Sequence, residues 1–261
     1  MQQPIVISGA GILGCYISCA LSLEGIDSIV LEKKDDEIED SVRTITLNPF
    51  SKNLLDKIGV ENDYSMISEM EVKDFDGTGK IVFKSSEIGM DHLAFVSDFA
   101  TLLRSVRKKA SEKILYKEEI IKIDNKGDFH EVTLSSGKII KTNLVISSEG
   151  KNSKLANKIP KSDKDYFQTA LTFLASAEKD MDMSAFQIFS DNGICAFMPT
   201  RKKGEDFVTV VWSISDDLIE NGYEDFIEEN LENISRKTVS YTHLRAHETP
   251  EHRVFRLILE K

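Results

Sequence analysis

The sequence predicts an α/β fold: a parallel-sheet nucleotide domain that carries an antiparallel meander, followed by a β-rich second half. Three observations predict it. Residues 9–14 read Gly-Ala-Gly-Ile-Leu-Gly, set between the apolar run Ile5-Val6-Ile7 and a helical pattern. Between Ile120 and Ile140, turn residues at Asn125–Asp128 and Ser135-Ser136-Gly137 mark off three short strands. From Gln168 onward the β-favouring stretches Thr169–Ala175, Phe186–Phe189, Ile194–Met198 and Phe207–Ser213 suit a sheet wall.

In chain order, residues 4–32 form a β-α-β start. The run 9–14 is a GxGxxG turn in the strand-turn-helix setting that gives it meaning. Gly9 permits the sharp turn, Gly11 lets the backbone approach a pyrophosphate, and Gly14 lets the helix lie close to the sheet. Amides of Ala10, Ile12 and Leu13 complete a helix N-terminus suited to phosphate. The helix Ile12–Glu24 places Leu13, Ile17, Ala20 and Leu21 on one face, and Gly25 is its expected C-cap. A second strand, Ser28-Ile29-Val30-Leu31, ends in Glu32, 18 positions after Gly14. That is where an acid is needed to accept from an adenosine ribose. An acidic loop at 35–40 shows no sign of order, and a short helix follows over Pro49–Ile58. Val72–Phe83 reads as a hairpin around Asp76-Gly77-Thr78-Gly79, and Phe99–Ala110 as a helix that turns basic toward its C-terminal end. Beyond the meander, Asn143–Ile146 is a last apolar strand leading to Ser147-Ser148-Glu149-Gly150, with a helix start at Asn152 and Ser153. Asp225–Ile234 reads as a further helix.

The whole-chain numbers exclude several classes. Of 261 residues, 33 are Lys or Arg and 44 Asp or Glu, for a net charge of −11, which argues against nucleic acid and simple docking on anionic lipid. No apolar run approaches the roughly 20 residues of a transmembrane helix. Three cysteines (Cys15, Cys19 and Cys195) are too few and too odd in number for a disulfide scaffold, and a cytoplasmic location is expected. Cys15 and Cys19, four apart on the first helix, read as small residues packing helix on sheet rather than as a metal or redox pair.

Residues 239–249, VSYTHLRAHET, resemble the translation of a sequencing-library transposon adapter, and 252–261 resemble an error-bearing continuation of it. On this reading 239–261 is an artefactual tail, and the natural protein is expected to continue past Thr238. Three of the five histidines (His243, His247 and His252) fall in that tail, so a His-rich metal site is not inferred there. His92 and His130 read as structural or solvent-facing, and no catalytic side chain is singled out.

Four stretches carry a resemblance to the FAD-dependent aromatic hydroxylases of the para-hydroxybenzoate hydroxylase type, in particular to the branch acting on ubiquinone precursors. They are Gly9–Gly14 with Glu32; Arg43-Thr44-Ile45-Thr46-Leu47, similar to the family's Arg-x-x-x-Leu; Leu144–Ser153, similar to its strand and Ala-Asp-Gly-x-x-Ser loop; and Ala185–Gln187, Ile194–Pro199 and Val210–Ser213, similar to strands of the ubiquinone branch. The resemblance implies an FAD-binding Rossmann-like domain over 1–70 and 93–160 and a β-sheet substrate domain over 71–92 and 161–238. It implies that Gly9, Ala10, Gly11, Ile12, Leu13, Gly14, Glu32, Arg43, Glu149 and Gly150 bind the cofactor, with Arg43 near its phosphates. It implies NAD(P)H as co-substrate, O2 as oxidant, and an aromatic ring as acceptor, a polyprenyl phenol or quinol on the ubiquinone pathway. Peripheral association with the inner membrane or a biosynthetic complex would come through that substrate. The chain departs from the family in having Glu149 for the usual Asp, Ser148 for Ala or Gly, and Ser97 or Asp98 where an Arg or Gln often stands at the head of the 97–110 helix. The family's second flavin motif, a Gly-Asp, has no counterpart. A dehydrogenase or reductase of the same fold, or a non-catalytic fragment, is the competing expectation. Trp212 reads as a core aromatic rather than a stacking platform.

Overall fold

A computed structural model describes residues 3–150, 153–155, 166–177, 181–191, 193–220, 230 and 244–246. Along the chain the elements begin with β1 (Ile5–Ser8), α1 (Ile12–Leu23), β2 (Ser28–Glu32), β3 (Thr44–Leu47) and α2 (Pro49–Lys57). They continue with β4 (Ser65–Ile67), β5 (Glu69–Asp74), β6 (Lys80–Lys84), β7 (Ala94–Asp98) and α3 (Phe99–Ala110). Next come β8 (Ile114–Tyr116), β9 (Ile120–Asn125), β10 (His130–Leu134), β11 (Ile139–Thr142) and β12 (Val145–Ser147). The rest are β13 (Gln168–Ala177), β14 (Ser184–Ser190), β15 (Gly193–Lys202), β16 (Glu205–Ser215), α4 (Asp216–Glu220) and β17 (Leu244–Ala246). The expected helix over 225–234 and the helix start at Asn152 lie outside the described residues, Ser153 and a helical Asn230 apart.

Two compact units divide the chain. One comprises Met1–Glu39, Asn53–Asn62 and Ala100–Ser162; the other comprises Asp40–Lys52, Asp63–Phe99 and Asp163–Lys261. The second thus takes in 40–52, 63–70 and 93–99, stretches that the sequence groups with the nucleotide domain.

In the first unit a wholly parallel sheet has the order β12-β1-β2-β8. Alternation sends Val6, Ile29, Leu31 and Val145 to one face, where they pack with Ile120, Val132, Leu134 and Ile140 of the antiparallel meander β9-β10-β11. Ile7 and Val30, pointing the other way, are fully buried as well, as a parallel sheet covered on both faces requires. The predicted apolar face of α1 is not its buried face. Leu13 is 61% exposed, and the helix buries Gly14, Cys15 and Ser18 instead. Contact is so close that only small side chains fit, with Ser18 Oγ 2.8 Å from Ser28 Oγ on β2. Burial pushes the Cys15 thiol up to about 12, so it packs as a protonated, small side chain.

The second unit is built on a seven-stranded sheet ordered β17-β13-β16-β15-β14-β5-β6, antiparallel except where β5 lies parallel to β14. Its β17 falls in the adapter-like stretch and pairs with β13. Period-two burial of Val208, Val210, Trp212 and Ile214 on β16 forms the core with Leu171, Phe173, Cys195 and Phe197. Trp212 is 0% exposed, a core aromatic as expected. A small sheet, β3-β7-β4, completes this unit. Asp98, at the end of β7, is buried and ion-paired to Lys202 at 3.1 Å.

Candidate dinucleotide-binding site

At the C-terminal end of β1 the chain turns through Gly9, Ala10 and Gly11 into α1. The Gly9 N–H donates to Leu31 O at 2.8 Å, which ties the turn to β2. Its φ is +103°, and a Cβ there would lie 2.6 Å from Ser148 O, so both conformation and space demand glycine. Gly14 is required by space alone: a Cβ would lie 2.0 Å from Gly9 O. Gly11 differs from both. It is the N-cap of α1 in extended backbone (φ −73°, ψ 179°), and no heavy atom among the described residues would come within 4 Å of a Cβ there, its chain neighbours and own helix apart. Nothing among the described residues requires glycine at 11.

The helix that follows is open at its positive end. Among the described residues no side chain caps it, and its first turn holds no acid. Orphan amides and the helix dipole there favour an anion. Ala10 is fully buried beneath the turn, Ile12 is half-buried, and Leu13 is exposed beside it.

Glu32, the last residue of β2, reaches back to the turn. Its Oε2 accepts from Ala10 N at 3.1 Å and from Arg107 Nη2 at 3.2 Å, and its Oε1 accepts from Lys34 N at 3.0 Å. Arg107, on α3, also donates from Nε to Ala10 O at 2.9 Å. Sequence reasoning missed Arg107, taking it for part of a basic helix end. Its helical position carried the signal: 107 shares the buried stripe with Leu103, Val106 and Ala110.

The loop after β12 lies against the same turn. Ser148 Oγ is 2.9 Å from both Ser8 O and Gly9 O. Glu149 accepts from Ser8 Oγ at 2.5 Å, from Ser153 Oγ at 2.8 Å and from Lys154 N at 3.0 Å. Burial pushes its pKa up, but those hydroxyls with the amides of Leu155 and Lys154 outweigh it and hold the carboxyl below its ordinary value. Gly150 adopts φ +78° with open space around it, a conformational requirement. The two family departures, Ser148 and Glu149, thus engage β1 and its turn.

Gly9–Gly14, Glu32, Glu149 and Gly150 therefore come together in the first unit, with Ser8 and Arg107 as additions. Arg43 belongs to the second unit, where its guanidinium stacks 4.3 Å over the Phe99 ring and its carbonyl accepts from Phe99 N at 3.0 Å.

A parallel sheet, a glycine turn open above an uncapped helix and a carboxylate at the next strand end define a dinucleotide-binding α/β protein. The chain belongs to the family described as an FAD binding domain, whose model matches residues 2–256. It is 26% identical over 259 residues to the zebrafish (Danio rerio) mitochondrial ubiquinone biosynthesis monooxygenase COQ6, a match covering 86% of this chain and 53% of that protein. To the Escherichia coli K12 3-demethoxyubiquinol 3-hydroxylase it is 23% identical, over 81% of this chain and 58% of the relative. The chain thus spans a little over half the length of these relatives. Among solved structures, PqsL of Pseudomonas aeruginosa, a probable FAD-dependent monooxygenase, shares the fold with a TM-score of 0.76 at 19% identity, over 92% of this chain and 68% of that one.

The residues present fit FAD on the structure's own terms. The turn leaves open space at Gly11, the uncapped α1 offers amides to a pyrophosphate, and Glu32 retains acceptor capacity on Oε1. Among the described residues no helix is long and apolar enough to cross a membrane.

Proposed function

We propose that the chain is the flavin-binding part of an NAD(P)H-dependent monooxygenase that hydroxylates an aromatic ring, a polyprenyl phenol or quinol of the ubiquinone type. The observation that carries this reading is Gly11, a glycine that neither conformation nor packing requires, placed over an open helix end in a chain of the FAD-binding family. Relatives named for ubiquinone biosynthesis support the substrate class. Bound FAD would take two electrons from NAD(P)H and pass them to O2, so that one oxygen atom enters the ring and the other leaves as water.

The chain's own residues bind and orient. Amides of the Gly9–Gly14 turn and the first turn of α1 hold the pyrophosphate, and the exposed Leu13 lies beside it. Glu32 accepts from a ribose hydroxyl through Oε1, since Oε2 is filled by Ala10 N and Arg107. Glu149 has its carboxylate turned to Ser8, Ser153 and the amides of Lys154 and Leu155. With the carboxylate engaged by these groups, this loop meets the cofactor through backbone at Gly150. No side chain is assigned as general acid or base, because the cofactor carries the oxygen chemistry.

The test is turnover of the FAD-loaded protein with NADH or NADPH, 18O2 and a short-chain polyprenyl phenol. The expected product gains one labelled oxygen atom per NAD(P)H oxidised. NAD(P)H oxidation that yields only hydrogen peroxide with every phenol offered would refute the monooxygenase reading in favour of a reductase.

A further inference from the structure

We propose that Arg107 is the positioning residue of the nucleotide site, setting the direction of two of its binding groups from the far side of the turn. The inference rests on the placement of the ribose at Glu32 and the pyrophosphate at Gly11.

Burying a guanidinium is expensive unless its donors are matched, and among the described residues this one is matched to two acceptor atoms. The Arg107 side chain is 10% exposed and that of Glu32 12%. Nη2 bonds Glu32 Oε2 and Nε bonds Ala10 O, while Nη1 is buried without a hydrogen-bond partner among the described residues. Both acceptors belong to the nucleotide turn or its ribose acid. With the Tyr116 ring 5.7 Å from its guanidinium carbon, the fork is held in place from a second side.

The geometry has two consequences. First, the Ala10 N–H and Arg107 together occupy Oε2, which turns the remaining acceptor of Glu32, on Oε1, outward to a ribose hydroxyl. Second, the Ala10 carbonyl and the Gly11 N–H share one peptide unit. In a trans peptide these two groups point in opposite directions, and no cis bond occurs here. By gripping Ala10 O, Arg107 aims the Gly11 N–H away from α3. One buried cation thereby orients a ribose acceptor and a pyrophosphate donor, and neutralises a carboxylate that would repel the pyrophosphate.

The experiment measures FAD and ADP dissociation constants for the full chain and for Arg107→Met, Glu32→Gln and the double variant, alongside thermal melts. Arg107→Met is expected to weaken FAD and ADP alike by about ten-fold or more, the value of a charge-assisted bond. The double variant is expected to lose far less than the product of the single losses, because Arg107 acts partly through Glu32. Arg107→Lys keeps the buried charge and one of the two bonds. It serves if the Met variant does not fold, with an expected loss of about three-fold or more. Losses that multiply, or Arg107 variants that melt lower yet bind ADP as the unaltered chain does, overturn the positioning role. If Glu32→Gln leaves both ligands unaffected, or the unaltered chain binds neither, the underlying placement of the nucleotide fails and the proposal falls with it.

Discussion

Gly11→Ala separates ligand from protein as the reason for a glycine. Among the described residues the added methyl meets nothing within 4 Å, chain neighbours and its own helix apart, and φ −73° with ψ 179° is backbone that alanine adopts freely. Two small effects on stability oppose each other. Alanine at a helix N-cap costs about 1 kcal/mol against better caps, while the loss of glycine's freedom in the unfolded chain returns about 0.4–1 kcal/mol. The net is close to zero, so the melting temperature should move by no more than about 2–4 °C. Binding is different. A methyl at 11 occupies the space through which a pyrophosphate reaches the amides, so one or two charge-assisted bonds of about 1.5–3 kcal/mol are lost. A net loss of about 3 kcal/mol corresponds to roughly 100-fold in Kd. Flavin fluorescence titration with FAD, beside a circular-dichroism melt, reads both quantities on one sample. An unchanged melt with unchanged FAD affinity would refute the placement of the pyrophosphate over Gly11. A large fall in melting temperature would show instead that the glycine is structural.

Three further substitutions probe the surroundings. Gly14→Ala, whose methyl would sit 2.0 Å from Gly9 O, should cost about 3 kcal/mol and lower melting temperature and FAD binding together; a variant as stable as the unaltered chain would refute the close contact of α1 with its turn. Glu149→Gln should cost about 1–2 kcal/mol at neutral pH through lost hydrogen bonds to Ser8 and Ser153. Because folding depresses the Glu149 pKa, its contribution is present above the ordinary 4.5 and fades as pH falls through the lower folded value; the gap between variant and unaltered chain should therefore close in acid, and a constant gap down to pH 3 would show that the carboxylate charge is not involved. Trp212→Ala, at the centre of the second unit's core, should cost about 3–5 kcal/mol, read as a large drop in the denaturant midpoint; less than 1 kcal/mol would contradict its burial.

What could be read from sequence follows from how local each signal is. The GxGxxG turn, the hairpin closing at Asp74–Gly79, the meander and the long strands of the second sheet each announce themselves within a dozen residues, by alternation interrupted by turn residues. Strands β3, β4, β7 and β8 run three to five residues, too few for a period to register. Which distant strands pair in parallel was hidden, although the parallel sheet itself was expected. Val6 lies opposite Val145, and Glu71 opposite Phe186, partners separated by more than a hundred residues. On α1 the apolar stripe misled, because a helix pressed this close to its sheet buries its smallest side chains rather than its most apolar ones.

The site shows the same division in sharper form. The motif reveals which residues are glycine but not why, and three glycines within six positions turn out to answer to three causes. Gly9 answers to backbone angle together with a neighbouring strand end, Gly14 to helix packing, and Gly11 to nothing among the described residues. Only the last speaks for a ligand, so the functional content of the motif is concentrated in one position. Arg107 lies at the opposite extreme. It belongs to no motif and comes from a helix 75 residues after Glu32, yet it grips the carbonyl of the peptide unit whose N–H is Gly11's. A buried charge on an otherwise apolar helical stripe was its trace in the sequence, and such a charge calls for an acid partner. Glu32, already assigned to the ribose from the strand end, was that partner. Joining the two facts took the structure: the premise that a cation at a core position needs a partner does not say which of 44 Asp and Glu residues it meets.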